Sequence, residues 1–428
     1  MPLKSATLAF LIAAPLLLMG APGACAYTQK VLYAFCGVAN CANGEEPLGP
    51  LLRDPSGNIF GTVEDGGGTQ GGGGVFELTP GSGGGWTEQM IFDFCTGDTC
   101  PYGSAPTTGV IMDTSGNLYG TTSFLGIDDA GAAFELIPNK SKTKWKAKLL
   151  YMFCSKTACD DGSIANGLTY QGQASGALYD GVSPLYGTTI EGGTNDGGVV
   201  FALIPPAPGK KKWKETVIHD FCSPNSTDQC TSDGATPEAA MIMDASGNLY
   251  GTTKAAGAGV FAAGTIFELS PKGRKWKEKT LYNFCSQRGC TDGAGPNAPL
   301  LMDAAGDLLG TAGVVFKFDP ATSQYTVLHT FCAGGNCSDG DGSNWGLTMD
   351  PEGDLFGTSF GGGNTQQDGT AWALNPTFQV LYTFCQVGAC KDGMHPDSPL
   401  LPDTSGNLFG TTSEGGPNGA GEVYELSP

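Results

Sequence analysis

Carboxylates and aromatic rings are the residues of this 428-residue chain best suited to chemistry. Asp339-Gly-Asp341 sets two acids one residue apart. Further acids stand at Asp161, Asp233, Asp292 and Asp392, and at Glu64, Asp65, Asp128, Asp129, Glu191, Asp196, Asp368 and Glu414. Oxygen-rich clusters of this kind could hold Ca²⁺, which takes about six to eight oxygen ligands. Asp339-Gly-Asp341 lacks the rest of a calcium-loop pattern, and repeated Asp-Gly pairs read first as turns. Asp113, Ser115 and Asn117 also have the alternate spacing of calcium ligands, but a hairpin turn accounts for them better. Tyr102, Phe124, Trp345 and Phe360 fall in loops with these acids. A ring stacks on the C–H face of a sugar while a carboxylate accepts its hydroxyls, so these four aromatics with Asp339 and Asp341 form the candidate ligand-binding set. The competing reading packs the rings beneath long loops.

Histidine is scarce. His219 and His329 occupy a position where other repeats have Tyr33, Phe92, Tyr151, Tyr282 and Tyr382, which makes them structural. His395, in Met394-His395-Pro396-Asp397, is the one His placed for general acid or base work. No catalytic residue is assigned. The chain has no G-x-S-x-G nucleophile motif, nucleotide loop, metalloprotease motif or haem-attachment site. A glycosidase-like pair of acids remains open, since the loops offer many carboxylates at unknown separation.

The elements that must position these residues come from a repeat. Fourteen cysteines fall into local pairs: Cys36 with Cys41, Cys95 with Cys100, Cys154 with Cys159, Cys222 with Cys230, Cys285 with Cys290, Cys332 with Cys337, and Cys385 with Cys390. The step between pairs averages ~58 residues, in the range of propeller blades. An exported chain with an even count of locally paired cysteines implies disulfides, whereas zinc sites favour a spacing of about two to four residues with a second pair or His nearby. Each unit carries four short apolar runs, as in Gln89–Phe94, Gly109–Asp113, Asn117–Thr122 and Ala132–Ile137. Bounded by Gly, Asn, Asp and Pro, such runs are strands. Asp-x-Ser-Gly-Asn or a near variant joins the second and third runs, a tight turn opened by Asp with Gly at the positive-φ position. Repeat three departs here, with Asp180-Gly-Val-Ser-Pro184. The cysteine-bearing connection is the longest, which makes it the crossing between blades and the first run the outer strand. Fourteen of the 22 basic residues flank that run, from Lys140–Lys148, Lys210–Lys214 and Lys272–Lys279, as charges that protect an exposed edge. The predicted fold is all-β: one seven-bladed propeller of four-stranded antiparallel blades over 27–428, one disulfide per repeat. Lys30–Phe35 is expected to close the last blade beside Glu422–Leu426. The cysteine loops and the Gly-rich loops after the third run then share one face, and the acids with them.

Composition sets the compartment and excludes partners. Gly numbers 68 and Pro 27, without the strict Gly-X-Y period of collagen. The formal charge of −20 argues against nucleic acid or an anionic membrane as partner. Residues 1–26 read as a secretory signal: Lys4, an apolar run from Leu8 to Met19, and cleavage after Ala24-Cys25-Ala26. Lipidation of Cys25 is the alternative, although Pro22-Gly23-Ala24 lacks the residue type such a site prefers. No second apolar run is long enough to span a membrane.

Gly116–Thr122 with Phe134-Glu-Leu136, Gly247–Thr253 with Ile266–Leu269, and Gly406–Thr412 with Val423–Leu426 share a pattern, with weaker copies from Gly57, Pro184, Gly306 and Gly353. The pattern resembles the GloVer tandem-repeat family of secreted bacterial proteins. The resemblance implies export and a propeller-like fold. It brings no established activity, and the surface anchor usual in the family is not evident here. The expected function is therefore a monomeric, secreted or periplasmic binding module for a glycan or an extracellular protein. A carbohydrate-active hydrolase or lyase using the loop carboxylates is the alternative, and a structural surface protein the third reading.

Overall fold

A computed structural model describes residues 27–67, 71–95, 99–124, 130–222, 230, 232–258, 261–342 and 345–428. The expected signal, Cys25, Asp128 and Asp129 lie outside the described residues. The four apolar runs of each repeat form strands, and the strands form seven antiparallel sheets in a seven-bladed propeller. In blade two the order from the inside is Ile111–Met112, Leu118–Thr122, Ala132–Pro138 and Trp145–Met152. The outer strand thus comes from the start of the following repeat, as its flanking lysines implied. The inner strand is shorter than its apolar run: two paired residues in blade two, against nine in blade one at Glu45–Arg53.

Closure uses both ends of the described chain. Thr28–Ala34 pairs antiparallel with Glu422–Ser427, from Thr28 opposite Ser427 to Ala34 opposite Glu422. Blade seven therefore takes its outer strand from the first repeat, which covers the outer edge of Glu422–Ser427.

Adjacent blades are joined by aromatic pairs that recur around the ring. Phe35/Phe76, Phe94/Phe134, Phe153/Phe201, Phe221/Phe267, Phe284/Phe316, Phe331/Trp372 and Phe384/Tyr424 have ring centroids 4.8–5.5 Å apart. The first member immediately precedes a cysteine at the end of one blade, and the second lies in the third strand of the next. Tilted and edge-on pairs of this kind add about 0.5–1.5 kcal/mol beyond their burial. Glycine makes room for the second ring: a Cβ on Gly357 would meet the indole of Trp372. A register shift just before the third-strand aromatic, as between Val75 and Phe76, recurs in every blade and bends the outer strand toward the crossing.

Each crossing is then closed by a disulfide, and all seven expected pairs form. Cys36 bonds Cys41, Cys95 bonds Cys100, and Cys154 bonds Cys159. Cys222 bonds Cys230 across the longest of the seven loops. Cys285 bonds Cys290, Cys332 bonds Cys337, and Cys385 bonds Cys390. No bond links one repeat to another, so these disulfides staple loops.

Candidate functional site

The Asp-x-Ser-Gly-Asn segments are turns. Asp113 Oδ1 accepts the amides of Ser115 and Asn117 at 2.8 and 2.9 Å, and its Oδ2 accepts Asn117 Nδ2 at 2.8 Å. The same amide pattern holds at Asp54, Asp244, Asp303 and Asp403, so these carboxylates are engaged by their own loops.

The cysteine loops use their acids in a similar way. Asp161 accepts Tyr151 Oη at 2.5 Å, Ser155 Oγ at 2.8 Å, and the amides of Ser155 and Lys156 at 3.0 and 3.1 Å. Asp292 repeats this with Tyr282, Ser286 and Gln287, and Asp392 with Tyr382, Gln386 and Val387. In two repeats histidine replaces the tyrosine: His219 Nε2 lies 3.1 Å from Asp233 and His329 Nε2 lies 2.9 Å from Asp339. Burial opposes ionisation of Asp161, Asp292 and Asp233. The hydrogen bonds outweigh it and hold all three carboxyls below the usual range. Asp339 is thus one of five acids that cap their loops. Tyr102 stands at the same loop position, with its ring edge-on to Phe92 at 5.7 Å. Asp341 is exposed and accepts the Gly361 amide at 3.0 Å. Phe124, 39% exposed, pairs with Ser104 on blade two and does not line the central channel.

Trp345 and Phe360 do come together. They line the upper part of the channel, a cavity of about 320 Å³, with Thr107, Thr108, Asn166, Ile190, Glu238, Asn297 and Asp397. Phe360 stacks flat on His395, with centroids 4.4 Å apart and planes 9° apart. Beneath lies an apolar cavity of about 450 Å³, walled by Leu51, Val110, Met112, Leu168 and Met241 among others. Thr108, Glu238, Asn297 and Trp345 border both cavities. The segment that precedes the departing turn of repeat three lies along the lower end: Tyr170, Gln173 and Leu178 line it, and Tyr179 is hydrogen-bonded through its backbone to Met112 and Thr114 of blade two.

The most unusual carboxylate in the channel is Asp397. It is 6% exposed, and its Oδ1 has no hydrogen-bond partner. Burial, then the charges of Glu64, Glu46 and Glu414, push its carboxyl up to about 8 despite a hydrogen bond from Ser413. Burial and acidic neighbours also raise Glu64 and Glu46. Glu238, across the mouth, is instead paired with Lys254 at 2.9 Å. His395, the expected general acid or base, has Nδ1 3.3 Å from Glu414 Oε1 without hydrogen-bond geometry, and its ring serves as the bed for Phe360.

Sequence reasoning singled out neither Asp397 nor Glu46. A signal was present: a Gly-x-x triplet with a positive-φ third residue follows each cysteine pair on the way into the inner strand, as at Glu46, Ala105, Ile164, Thr236 and His395. The residue two further on faces the channel in several blades, as Thr107, Asn166, Glu238, Asn297 and Asp397. Among the described residues, the groups with three ligand atoms close together are Cys36, Cys41 and Glu45, and Asp368, Cys385 and Cys390. Their sulfurs are already disulfide-bonded. No comparable set of carboxylate oxygens gathers for calcium among those residues.

The ring and its asymmetric mouth define a seven-bladed β-propeller with a ligand-sized central channel. The chain belongs to the Gloeobacter/Verrucomicrobia repeat family, whose model matches residues 164–331 and 310–428. No curated protein matches it. Among solved structures it is similar to a GH74 xyloglucanase from Xanthomonas campestris, at 12% identity and TM-score 0.52, over 93% of this chain and 55% of that one. It is also similar to PorZ, an essential surface component of the type-IX secretion system of Porphyromonas gingivalis, at 13% identity and TM-score 0.41, over 85% and 45%. A third likeness is to a Thermus thermophilus protein provisionally named a glucose dehydrogenase-type oxidoreductase, at 13% identity and TM-score 0.42, over 94% and 100%. The chain spans about half the length of the first two. The xyloglucanase likeness reflects the propeller fold.

Proposed function

We propose that this protein is an extracytoplasmic binding module that takes a glycan at the upper mouth of its channel. The observation that carries the reading is the meeting of Trp345 and Phe360 with Asp397, Asn166 and Asn297 in one cavity. Rings offer flat apolar faces, while amide and carboxyl groups offer the donors and acceptors that orient a polyol. Seven disulfides suit an oxidising compartment, consistent with export by the 1–26 segment. Among the described residues no helix is long and apolar enough to cross a membrane.

The test is native electrophoresis of residues 27–428 through gels containing different polysaccharides, with and without EDTA. Retardation in at least one gel is expected, insensitive to EDTA. Trp345→Ala should abolish it while leaving the melting temperature within a few degrees of the parent. Migration of Trp345→Ala identical to that of the parent in every gel would remove the mouth as the site.

One observation favours a second reading, a carbohydrate-active enzyme. A carboxyl pushed up to about 8 beside other acids is suited to protonating a leaving group while a neighbour stays ionised. A cleared zone around the band, or reducing ends that accumulate with time and are lost in Asp397→Asn, would turn the binder into a hydrolase.

A further inference from the structure

The upper mouth is electrically lopsided, and the lopsidedness has a chemical direction. Glu46 and Glu64 of blade one and Glu414 of blade seven act together on the buried Asp397. Glu46 is exposed and has a positive φ, Glu64 is half-buried, and Glu414 is exposed beside His395. Among the described residues none of these four acids has a Lys or Arg partner, whereas Glu238 has Lys254. The unpaired sector adjoins the Phe360 platform and Trp345, which share the cavity with Asp397. Asp397 Oδ1 is buried in that cavity and has no hydrogen-bond partner. A ligand that supplies the partner removes the penalty of leaving a buried polar atom unbonded.

A compact metal ion fits this geometry poorly, since these carboxylates do not bring three ligand oxygens within 4.8 Å of one another. An ammonium group asks for less. It donates three hydrogen bonds, tolerates acceptors at wider spacing, and is held by the summed field of carboxylates that do not touch it. The aromatic rings ask for a flat apolar face on the same molecule. We propose that the mouth recognises a protonated amine carried on a sugar ring, so that its ligand is an amino-sugar glycan with free amines. This rests on the glycan reading and narrows it. The chain's formal charge of −20 supports it, since an acidic protein draws a polycation from a distance and does so less at high salt.

The proton inventory supplies a signature. The charged or titratable groups facing Asp397 are Glu46, Glu64 and Glu414, with His395 beyond Glu414. A cation placed among them favours the ionised carboxylate, so binding at neutral pH should release protons.

The experiment is isothermal titration of residues 27–428 with glucosamine oligomers, N-acetylglucosamine oligomers of equal length, and spermine. It is run in two buffers of different ionisation heat and at two salt concentrations. The free-amine oligomer is expected to bind about tenfold or more tightly than the acetylated one, with proton release. Asp397→Asn and Glu64→Gln should each erase that preference while Trp345→Ala weakens both oligomers. Equal affinity for the two oligomers would overturn the amine inference and leave the glycan reading standing. Binding of neither would overturn the amine inference and leave the glycan reading to the polysaccharide gels. Spermine matching the free-amine oligomer would mean that charge alone is recognised, and would overturn the sugar half of the proposal.

Discussion

Asp161 and Asp397 are both buried acids, and their surroundings drive them in opposite directions. For Asp161, donors from Tyr151, Ser155 and two amides overcome burial and hold its carboxyl low. Its contribution to stability is present above the unfolded value and is lost as pH falls through the folded one. Asp397 is raised, as is Glu422, which burial and then the charge of Asp392 push up to about 8 in blade seven. A raised carboxyl stabilises while protonated, and that contribution drains away as pH climbs from the unfolded value toward about 8. The melting temperature should therefore peak at mildly acidic pH and fall on both sides. Circular dichroism melts from about pH 3 to about pH 9 would show it. Asp397→Asn should melt higher than the parent at the alkaline end and no higher at the acid end. Asp161→Asn should lose about 1–3 kcal/mol at neutral pH. A flat profile, or Asp397→Asn melting lower in alkali, would mean that burial and the neighbouring acids do not keep Asp397 protonated.

At the scale of strands, the closure and the edges carry the argument. Removing residues 27–35 takes the outer strand from blade seven and the Phe35 ring from Phe76. That exposes the Glu422–Ser427 edge and opens one blade junction, so the truncated chain should melt well below the parent and aggregate on heating. Light scattering during a thermal ramp would register both, and a truncated chain that melts with the parent would argue against closure by the termini. The lysines of the outer hairpins do more than guard edges. Lys148 pairs with Glu135 at 2.7 Å, and Lys142 lies 3.4 Å from Asp54 of the neighbouring blade. Edge protection was legible from alternation of Lys with Trp. The link to a neighbouring blade was not, because it depends on how far one hairpin leans across the next.

For the whole molecule, the ring is held by seven aromatic junctions, and each disulfide closes a loop within a single crossing. In the chain-entropy model a loop this short contributes at most about 2 kcal/mol. Full reduction should lower the melting temperature and liberate fourteen thiols without dissolving the propeller at room temperature. Far-ultraviolet dichroism alongside thiol titration would decide it, and unfolding on reduction would make the disulfides, not the aromatic rings, the main restraint. Linear order alone determined the blade number, the strand order, the cysteine pairing and the closure, because repeat period, turn chemistry and local pairing are written at short range. It also placed Trp345 and Phe360 in loops of one face. Alignment of the repeats held a further clue it left unused: Asn43, Tyr102, Asp161, Asp233, Asp292, Asp339 and Asp392 occupy one loop position, a place for a cap. What only the tertiary structure decided is which groups meet at the mouth. Ring closure brings Glu46 and Glu64 beside Asp397 and Glu414, more than 300 residues away in sequence. Each blade supplies only a few side chains there, and their convergence depends on the curvature of the completed ring, which no single repeat contains.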